Sequence, residues 1–227
     1  MARTLNLAVH TVRREAFVDA AMRLMQTRGY EQVSIQDVLD EVDASRGAFY
    51  HYFDSKQALL EAVIDRMVDA ALSAVEPVVA DPSLPATTKL QRFFHNIGRW
   101  KTERKSLVLS LLTVWMSDDN AIVREHFRRT AVRRLVPMLA PIIQQGIDEG
   151  VFHAEPAEET ARVLVILLQG FQDIATELFL DHQAGRIAPA DVERAFAHET
   201  AAFERILGAP PGSIDLVDRA VLRAWFG

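Results

Sequence analysis

"VSIQDVLDEVDASRGAFYHYFDSK" occupies residues 33–56, and its reading decides the fold. The second half sets the problem. Phe49, Tyr50, His51, Tyr52 and Phe53 run consecutively, and a helix turning by about 100° per residue cannot bury all five on one face. Phe49 and Phe53 stand at i, i+4, so both can face a core with Val38 and Val42. Arg46, Gly47, Tyr50 and His51 then lie toward the opposite side.

The flanks explain why the chain turns where it does. Ser34 can cap a short helix carrying Ile35, Val38, Leu39 and Val42, and Asp37 three residues on completes a weak capping box. Asp43 tolerates left-handed turn geometry better than most residues. Ser45 caps the next helix, predicted from residue 46 to about 53. Asp54-Ser55 breaks it and caps a fourth. Upstream, Phe17, Ala20, Ala21, Leu24 and Met25 form one apolar stripe on a helix predicted over residues 11–28, with Gly29 as its stop. Two short helices joined by a tight turn behind a longer one describe a helix-turn-helix. In that motif the second short helix lies in the DNA major groove, with small or polar residues outward. Arg46 can donate to guanine or phosphate, and Tyr50 and His51 can reach phosphate or a base edge. Lys56 stands at the next helix's N-terminus, suited to a phosphate.

Composition sets the class. The chain has 227 residues, 49% hydrophobic and 25% charged, as expected of a globular protein. It has no cysteine, so neither disulfides nor thiolate metal sites are available. No apolar run approaches the roughly 20 residues of a membrane span, and MARTLNLAVH lacks a signal peptide's apolar core. A cytoplasmic protein without a membrane partner is expected. The net charge is −6, and residues 1–80 carry 8 Lys+Arg against 12 Asp+Glu. Any nucleic-acid contact must therefore use a local surface.

Beyond this region the period is helical and no useful β-alternation occurs, which predicts an all-α protein. ADPSLPA (80–86) marks a boundary, because Pro82 and Pro85 stop a helix. The expected division is a DNA-binding domain at 1–56, a connecting helix at 57–79 and a ligand-binding and dimerisation domain at 80–227. Helices are predicted at about 87–104, 106–117, 119–149, 157–183, 189–207 and 213–225. Pro137 and Pro141 are expected to kink or divide the third of these. The first ten residues are read as disordered, the alternative being an arm that carries Arg3 into a minor groove.

The segment VSIQDVLDEVDASRGAFYHYFDSKQALLEAV resembles the DNA-binding domain of the TetR family of transcriptional repressors. The resemblance rests on Ser34, Ser45, Gly47, Phe49, Tyr50, Phe53, Ser55, Lys56 and Leu59, and it covers about residues 11–65. It implies a homodimer with its third helices in the major groove of a double-stranded operator. It also implies a C-terminal small-molecule pocket whose ligand changes the spacing of the two heads and releases DNA. The family's DNA contacts carry over to Ser34, Gln36, Ser45, Arg46, Gly47, Ala48, Tyr50, His51 and Tyr52, with Lys56 in the phosphate role. Tyr52 has a core reading as well. Departures fall at Leu39 and Val42, where alanine is usual, at Asp43, where glycine is usual, and at Ala48, where a hydroxyl residue is common.

The C-terminal half is rich in large apolar side chains at helical spacing, most of which ordinary core explains. The resemblance places a pocket among them, suited to a mostly hydrophobic effector. The pocket candidates are Phe93, Ile97, Trp100, Leu112, Trp115, Met116, Phe127 and Met138, with Asn96, His126, Gln169, Gln172 and Asp173 as polar groups to orient a ligand. His95, His126 and Asp173 can be assembled into a metal site only on paper, so neither metal nor cofactor is expected. REHFRRTAVRR (124–134) reads as a solvated face. The 159–180 segment is apolar nearly all round and needs partners on several sides. No nucleophile elbow, phosphate loop or paired metal-binding histidines point to an enzyme. The rivals are an activator or DNA-organising protein of the same fold without an effector, an all-helical enzyme, and a sensor that no longer reads DNA.

Overall fold

A computed structural model describes residues 2–117 and 120–227, with side chains from His10 onward except at 113 and 114. Every secondary-structure element among the described residues is a helix: α1 (Ala2–Arg28), α2 (Ile35–Glu41), α3 (Arg46–Tyr50), α4 (Lys56–Ser73), α5 (Glu76–Ala80), α6 (Ala86–Glu103), α7 (Lys105–Ser110), α8 (Leu112–Met116), α9 (Ala121–Asp148), α10 (Ala157–Gln183), α11 (Pro189–Leu207) and α12 (Arg219–Phe226). The chain forms two compact units, residues 1–69 with 104–127 and residues 70–103 with 128–227. The expected limits at 56 and 80 do not coincide with this division. Residues 104–127 return to the first unit, a long-range association that no local signal announces.

In the first unit Phe17, Ala21 and Met25 of α1, Val38 and Leu39 of α2, Phe49 and Phe53, and Leu59, Leu60 and Val63 of α4 share one core. Each large apolar side chain so buried contributes about 1.5–3 kcal/mol. Charged pairs surround it. Arg23 binds Glu41 at 3.2 Å and Arg28 binds Asp37 at 3.0 Å, joining α1 to α2. Arg66 of α4 pairs with Glu15 and Asp19 of α1.

The second unit packs Leu90 and Phe93 of α6, Leu139, Ile142 and Ile143 of α9, Leu164 and Val165 of α10, and Phe203 and Leu207 of α11. Gly146 gives Phe152 its place, because a Cβ there would lie 2.0 Å from the ring. Glu204, 4% exposed, accepts a hydrogen bond from Ile214 N at 3.0 Å and so pins the segment after α11.

Several expectations need correction. The first ten residues are not irregular, since helix α1 begins at Ala2; Gly and Pro are absent from 2–28, so nothing stops the helix. The Arg3 side chain lies outside the described residues. Pro77 begins a helix as well as ending a run, for its missing N–H costs nothing in a first turn. The helix expected over 106–117 breaks at Leu111, where Ser110 Oγ turns back to donate to Leu107 O at 2.7 Å. Pro137 and Pro141 do not divide α9. They share one exposed face, where the carbonyls they leave unpaired can bond water. The last helix starts at Arg219 and not at 213. Asp215 Oδ1 accepts from Val217 N at 3.3 Å in a local turn, and Asp218 Oδ1 caps Ala220 N at 2.8 Å.

By length and composition α10 can cross a membrane, its most apolar 18-residue window having mean hydropathy 1.6, with 17% of that window buried. Its Leu164 and Val165 lie in the second core, whereas Val163, Ile166 and Ile174 are 50, 57 and 49% exposed.

Candidate functional site

The reading surface is built by caps. Ser34 Oγ accepts from Asp37 N at 3.1 Å, and Asp37 Oδ2 accepts from Ser34 N at 2.7 Å, so the box closes in both directions. The Ser34 hydroxyl, which also donates to Asp37 Oδ2, and the Ser34 backbone N–H hold the Asp37 carboxyl below its ordinary range, with Arg28 adding to the effect. At the other end of α2, Ala44 N donates to Leu39 O at 3.0 Å while Asp43 sits at φ 49°. This is a Schellman closure with aspartate in the left-handed position usually held by glycine. Leu39 is 2% exposed and Val42 packs on the same core. The bulkier residues of α2 are thus absorbed inward. Ser45 Oγ then caps α3 through Ala48 N at 3.2 Å, and Ser55 Oγ caps α4 through Ala58 N at 3.0 Å.

The five consecutive rings divide as the spacing requires. Phe49 and Phe53 are 0 and 3% exposed, with centroids 5.6 Å apart, and Phe17 meets Phe49 edge-on at 5.7 Å. Tyr50 is 49% exposed. His51 is exposed at the turn after α3. Tyr52 does both jobs, half-buried 5.8 Å from Phe17 with its other side against His10 at 4.6 Å.

Ser34, Gln36, Ser45, Arg46 and Gly47 are exposed, and Ala48 is half-buried. Arg46 makes no hydrogen bond or ion pair among the described residues. A Cβ on Gly47 would meet nothing closer than Ser45 Oγ at 4.0 Å, so no packing within the chain requires glycine there. Gln36 Nε2 donates to Asp40 at 2.7 Å and must exchange that bond to reach elsewhere. Lys56 Nζ lies 4.1 Å from the Tyr30 ring centroid, and partial burial pulls its pKa down against the pull of Glu31 and Asp37. Sequence reasoning missed His10, whose ring stands 5.3 Å from His51. Forty-one positions separate the two, and no local pattern links them.

The pocket candidates are divided between the two units. Leu112, Trp115, Met116, His126 and Phe127 belong to the first unit, and Phe93, Asn96, Ile97, Trp100, Met138, Gln169, Gln172 and Asp173 to the second. Phe93 and Trp100 are core at 0 and 9% exposure. Ile97 and Met138 pack against the second core. Trp115 stacks edge-on with Phe127 at 5.0 Å, and Met116 is exposed. Most of the polar candidates have partners. His126 Nε2 meets Asp65 at 3.2 Å, Asp173 meets Arg128 at 2.7 Å, Gln169 donates to Arg128 O at 2.8 Å, and Asn96 accepts from Arg99 at 3.2 Å. The Gln172 side chain is half-buried. His95 lies 4.0 Å from Asp215, and among the described residues no three His, Asp or Glu side chains are grouped to hold a metal ion. Arg124 donates to the carbonyls of Trp115 and Ser117, so the arginine run is partly spent on packing. An open depression of about 480 Å³ beside Gln144, Glu155, Pro156 and Ala157 involves none of the candidates.

Comparison with known proteins finds two matched stretches. Residues 17–63 match the signature of bacterial regulatory proteins of the tetR family, and residues 110–184 match a tetracyclin repressor-like C-terminal domain. Together these span more than half of the chain. The HTH-type transcriptional regulator EthR of Mycolicibacterium smegmatis is 28% identical over 144 residues, which are 56% of this chain and 66% of that protein. A TetR transcription regulator from Haloarcula marismortui superposes with a TM-score of 0.57 at 26% identity, over 74% of this chain and 88% of that one. RolR, solved with the ligand resorcinol, shares the fold with a TM-score of 0.63 at 17% identity, over 96% of this chain and 95% of its own.

Proposed function

The chain belongs to the TetR family of DNA-binding transcriptional regulators, and from that premise we propose a homodimeric repressor released from a near-palindromic operator by a small, mostly hydrophobic effector. The observation that carries the DNA-reading part is Gly47 beside Arg46. The glycine has open space where a Cβ would stand, and the guanidinium has no partner among the described residues. Both fit a helix that approaches a duplex closely and takes its polar partners from outside. Gln36, Ser34, Ser45, Tyr50 and His51 flank the same surface, and Lys56 with the start of α4 takes a phosphate.

The acidic balance of residues 1–80 does not oppose this. Glu15, Asp19, Asp37 and Glu41 are all engaged by α1 or α4 arginines. Dimerisation uses the exposed stripe Val163, Ile166 and Ile174 of α10. Gly170 lies at its centre with nothing within 4 Å of a Cβ position, which admits a close partner helix. Effector release needs a ligand that binds the two head spacings with different affinity. RolR's resorcinol is a precedent for a small aromatic ligand on this fold.

A regulator of the same fold without an effector is the second reading. It is favoured by the partners already held by His126, Gln169 and Asp173. The test is fluorescence anisotropy with the upstream intergenic duplex and a scrambled control, across a salt series. Preferential binding is expected, with half-sites about one helical turn or slightly more apart. Lys56→Ala weakens binding to every duplex and makes the salt slope shallower by about 1. Arg46→Ala instead relaxes preference at particular base pairs, at a cost of about 1–3 kcal/mol. If both variants bind like the parent, the contact assignment is wrong.

A further inference from the structure

The second unit contains ionisable side chains that its own packing leaves unsatisfied. Glu199 of α11 lies one turn from Phe203, and Lys101 of α6 lies two turns from Phe94. The Phe94 and Phe203 rings meet edge-on at 5.6 Å. Glu199 Oε1 is buried with no hydrogen-bond partner, and no ion pair joins it to Lys101 among the described residues. Lys101 lies deep among neighbouring atoms while part of its side chain still meets solvent. Burial raises the Glu199 carboxyl to about 8 against the pull of Lys101. It lowers the Lys101 pKa against the pull of Glu199. At neutral pH the carboxyl keeps its proton, and Lys101 makes no ion pair among the described residues.

The surroundings are aromatic, and one short helix closes them. Phe196, one turn before Glu199 on the same side of α11, meets Phe171 of α10 at 4.8 Å and Phe226 of α12 at 6.3 Å. Helix α12 packs on α6, α10 and α11. Trp225 Nε1 donates to Thr102 Oγ1 at 2.9 Å, beside Lys101. His182 Nδ1, near Phe226, is also buried without a partner. Toward the other end of α12, Asp218 makes a long contact of 3.7 Å with the exposed Arg99, and Val221 lies over Gly98. Trp225 and Phe226 also meet Phe179 at 5.8 and 6.1 Å, so the aromatic end of this eight-residue helix covers Phe196 and the face around it.

We propose that the face enclosed by α6, α10 and α11 beneath α12 binds a small aromatic acid, its carboxylate pairing with Lys101 and accepting a hydrogen bond from the Glu199 carboxyl, its ring replacing the end of α12 against Phe196. An anion supplies the opposite charge that the half-buried Lys101 lacks, whereas a cation is repelled by it. The aromatic walls select a flat ring, and the side chains of Trp225 and Phe226 set its size at one or two rings. The role of this ligand as effector rests on the repressor reading given above; its binding does not.

The experiment uses the full chain, with benzoate and 1-naphthoate as probes and benzamide and 1-naphthamide as their neutral counterparts. Tryptophan emission and thermal unfolding report binding without DNA. The acids are expected to shift Trp225 emission and raise the melting temperature, each binding about tenfold or more tightly than its amide. Lys101→Met removes that preference, with Lys101→Gln as the second variant if the methionine does not fold. In the parent, acid binding weakens as pH rises through about 8, because ionised Glu199 repels a carboxylate. Glu199→Gln binds the acid without that pH step. Equal binding of acid and amide, an unchanged preference in the Lys101 variants, or no response from either acid overturns the site. Anisotropy on operator DNA separates the two readings. Acids that bind without changing DNA affinity leave the site standing and remove its effector role. Intact DNA binding with unresponsive acids does the reverse.

Discussion

In the first unit Arg46, Tyr50 and His51 stand at the surface of a filled core, whereas in the second Glu199, near the half-buried Lys101, keeps a buried carboxyl oxygen without a partner. The unit to which we assign the duplex keeps its polar groups outside, where water holds them until a phosphate or base edge replaces it. The unit assigned a small molecule keeps them inside, where leaving them unpaired is costly and where a ligand gains most by pairing them. The largest test of this contrast is Phe49→Ala. Phe49 is 0% exposed and meets both Phe17 and Phe53, so its truncation costs about 3–5 kcal/mol, a large share of a domain's stability. Urea unfolding is expected to show the first unit melting early and DNA binding lost, with the second unit's transition in place. A single shifted transition would mean that the two units unfold as one block, and the contrast would be one of position only.

The next effect lies on the surface of the second unit. Ile166→Asp places a charge at the centre of the α10 stripe, at a position 57% exposed in the single chain. The chain's fold is therefore spared, and the dimer is expected to weaken by about 2 kcal/mol or more, roughly thirtyfold. Sedimentation equilibrium reads it directly. An unchanged dimer would move the interface off α10 and leave this apolar face unexplained.

What the sequence discloses divides along the same line. Caps and periods are local, so α2 and α3 are legible from Ser34 and Ser45, α10 and α11 from their helical period, and the burial of Phe49 and Phe53 follows from a spacing of four. The exposure of Arg46 and Tyr50 follows from the same count. Long-range association leaves no such mark. The return of residues 104–127 to the first unit, His10 against His51, and Tyr30 beneath Lys56 each join positions far apart in the chain. Candidate pocket residues chosen for polarity on apolar helices mostly turn out to be partnered. Polarity on an apolar stripe marks a need for a partner, and the chain itself met it at Asp173 with Arg128 and at His126 with Asp65. Lys101 and Glu199 drew no notice, because at their spacing each reads as an ordinary surface charge.

The smallest effect concerns Asp43, which holds a φ of 49° at the turn between the two short helices. Two roles are combined there. The left-handed backbone strains any residue with a Cβ, though aspartate less than most, and the carboxylate places a negative charge near the N-cap of α3. Asp43→Gly removes both, while Asp43→Asn keeps a side chain that tolerates the turn and removes only the charge. Relief of strain is offset by the greater chain entropy of unfolded glycine, so the glycine variant is expected to gain less than about 1 kcal/mol in chemical denaturation. The asparagine variant should leave stability nearly unchanged. If the reading face is the one that contains Gly47 and Arg46, both variants bind duplex DNA a few-fold more tightly at low salt, the gain fading as salt screens the lost charge. Tighter binding in the glycine variant alone would trace the effect to turn geometry. Unchanged binding in both would place the duplex away from this turn, and with it away from Arg46.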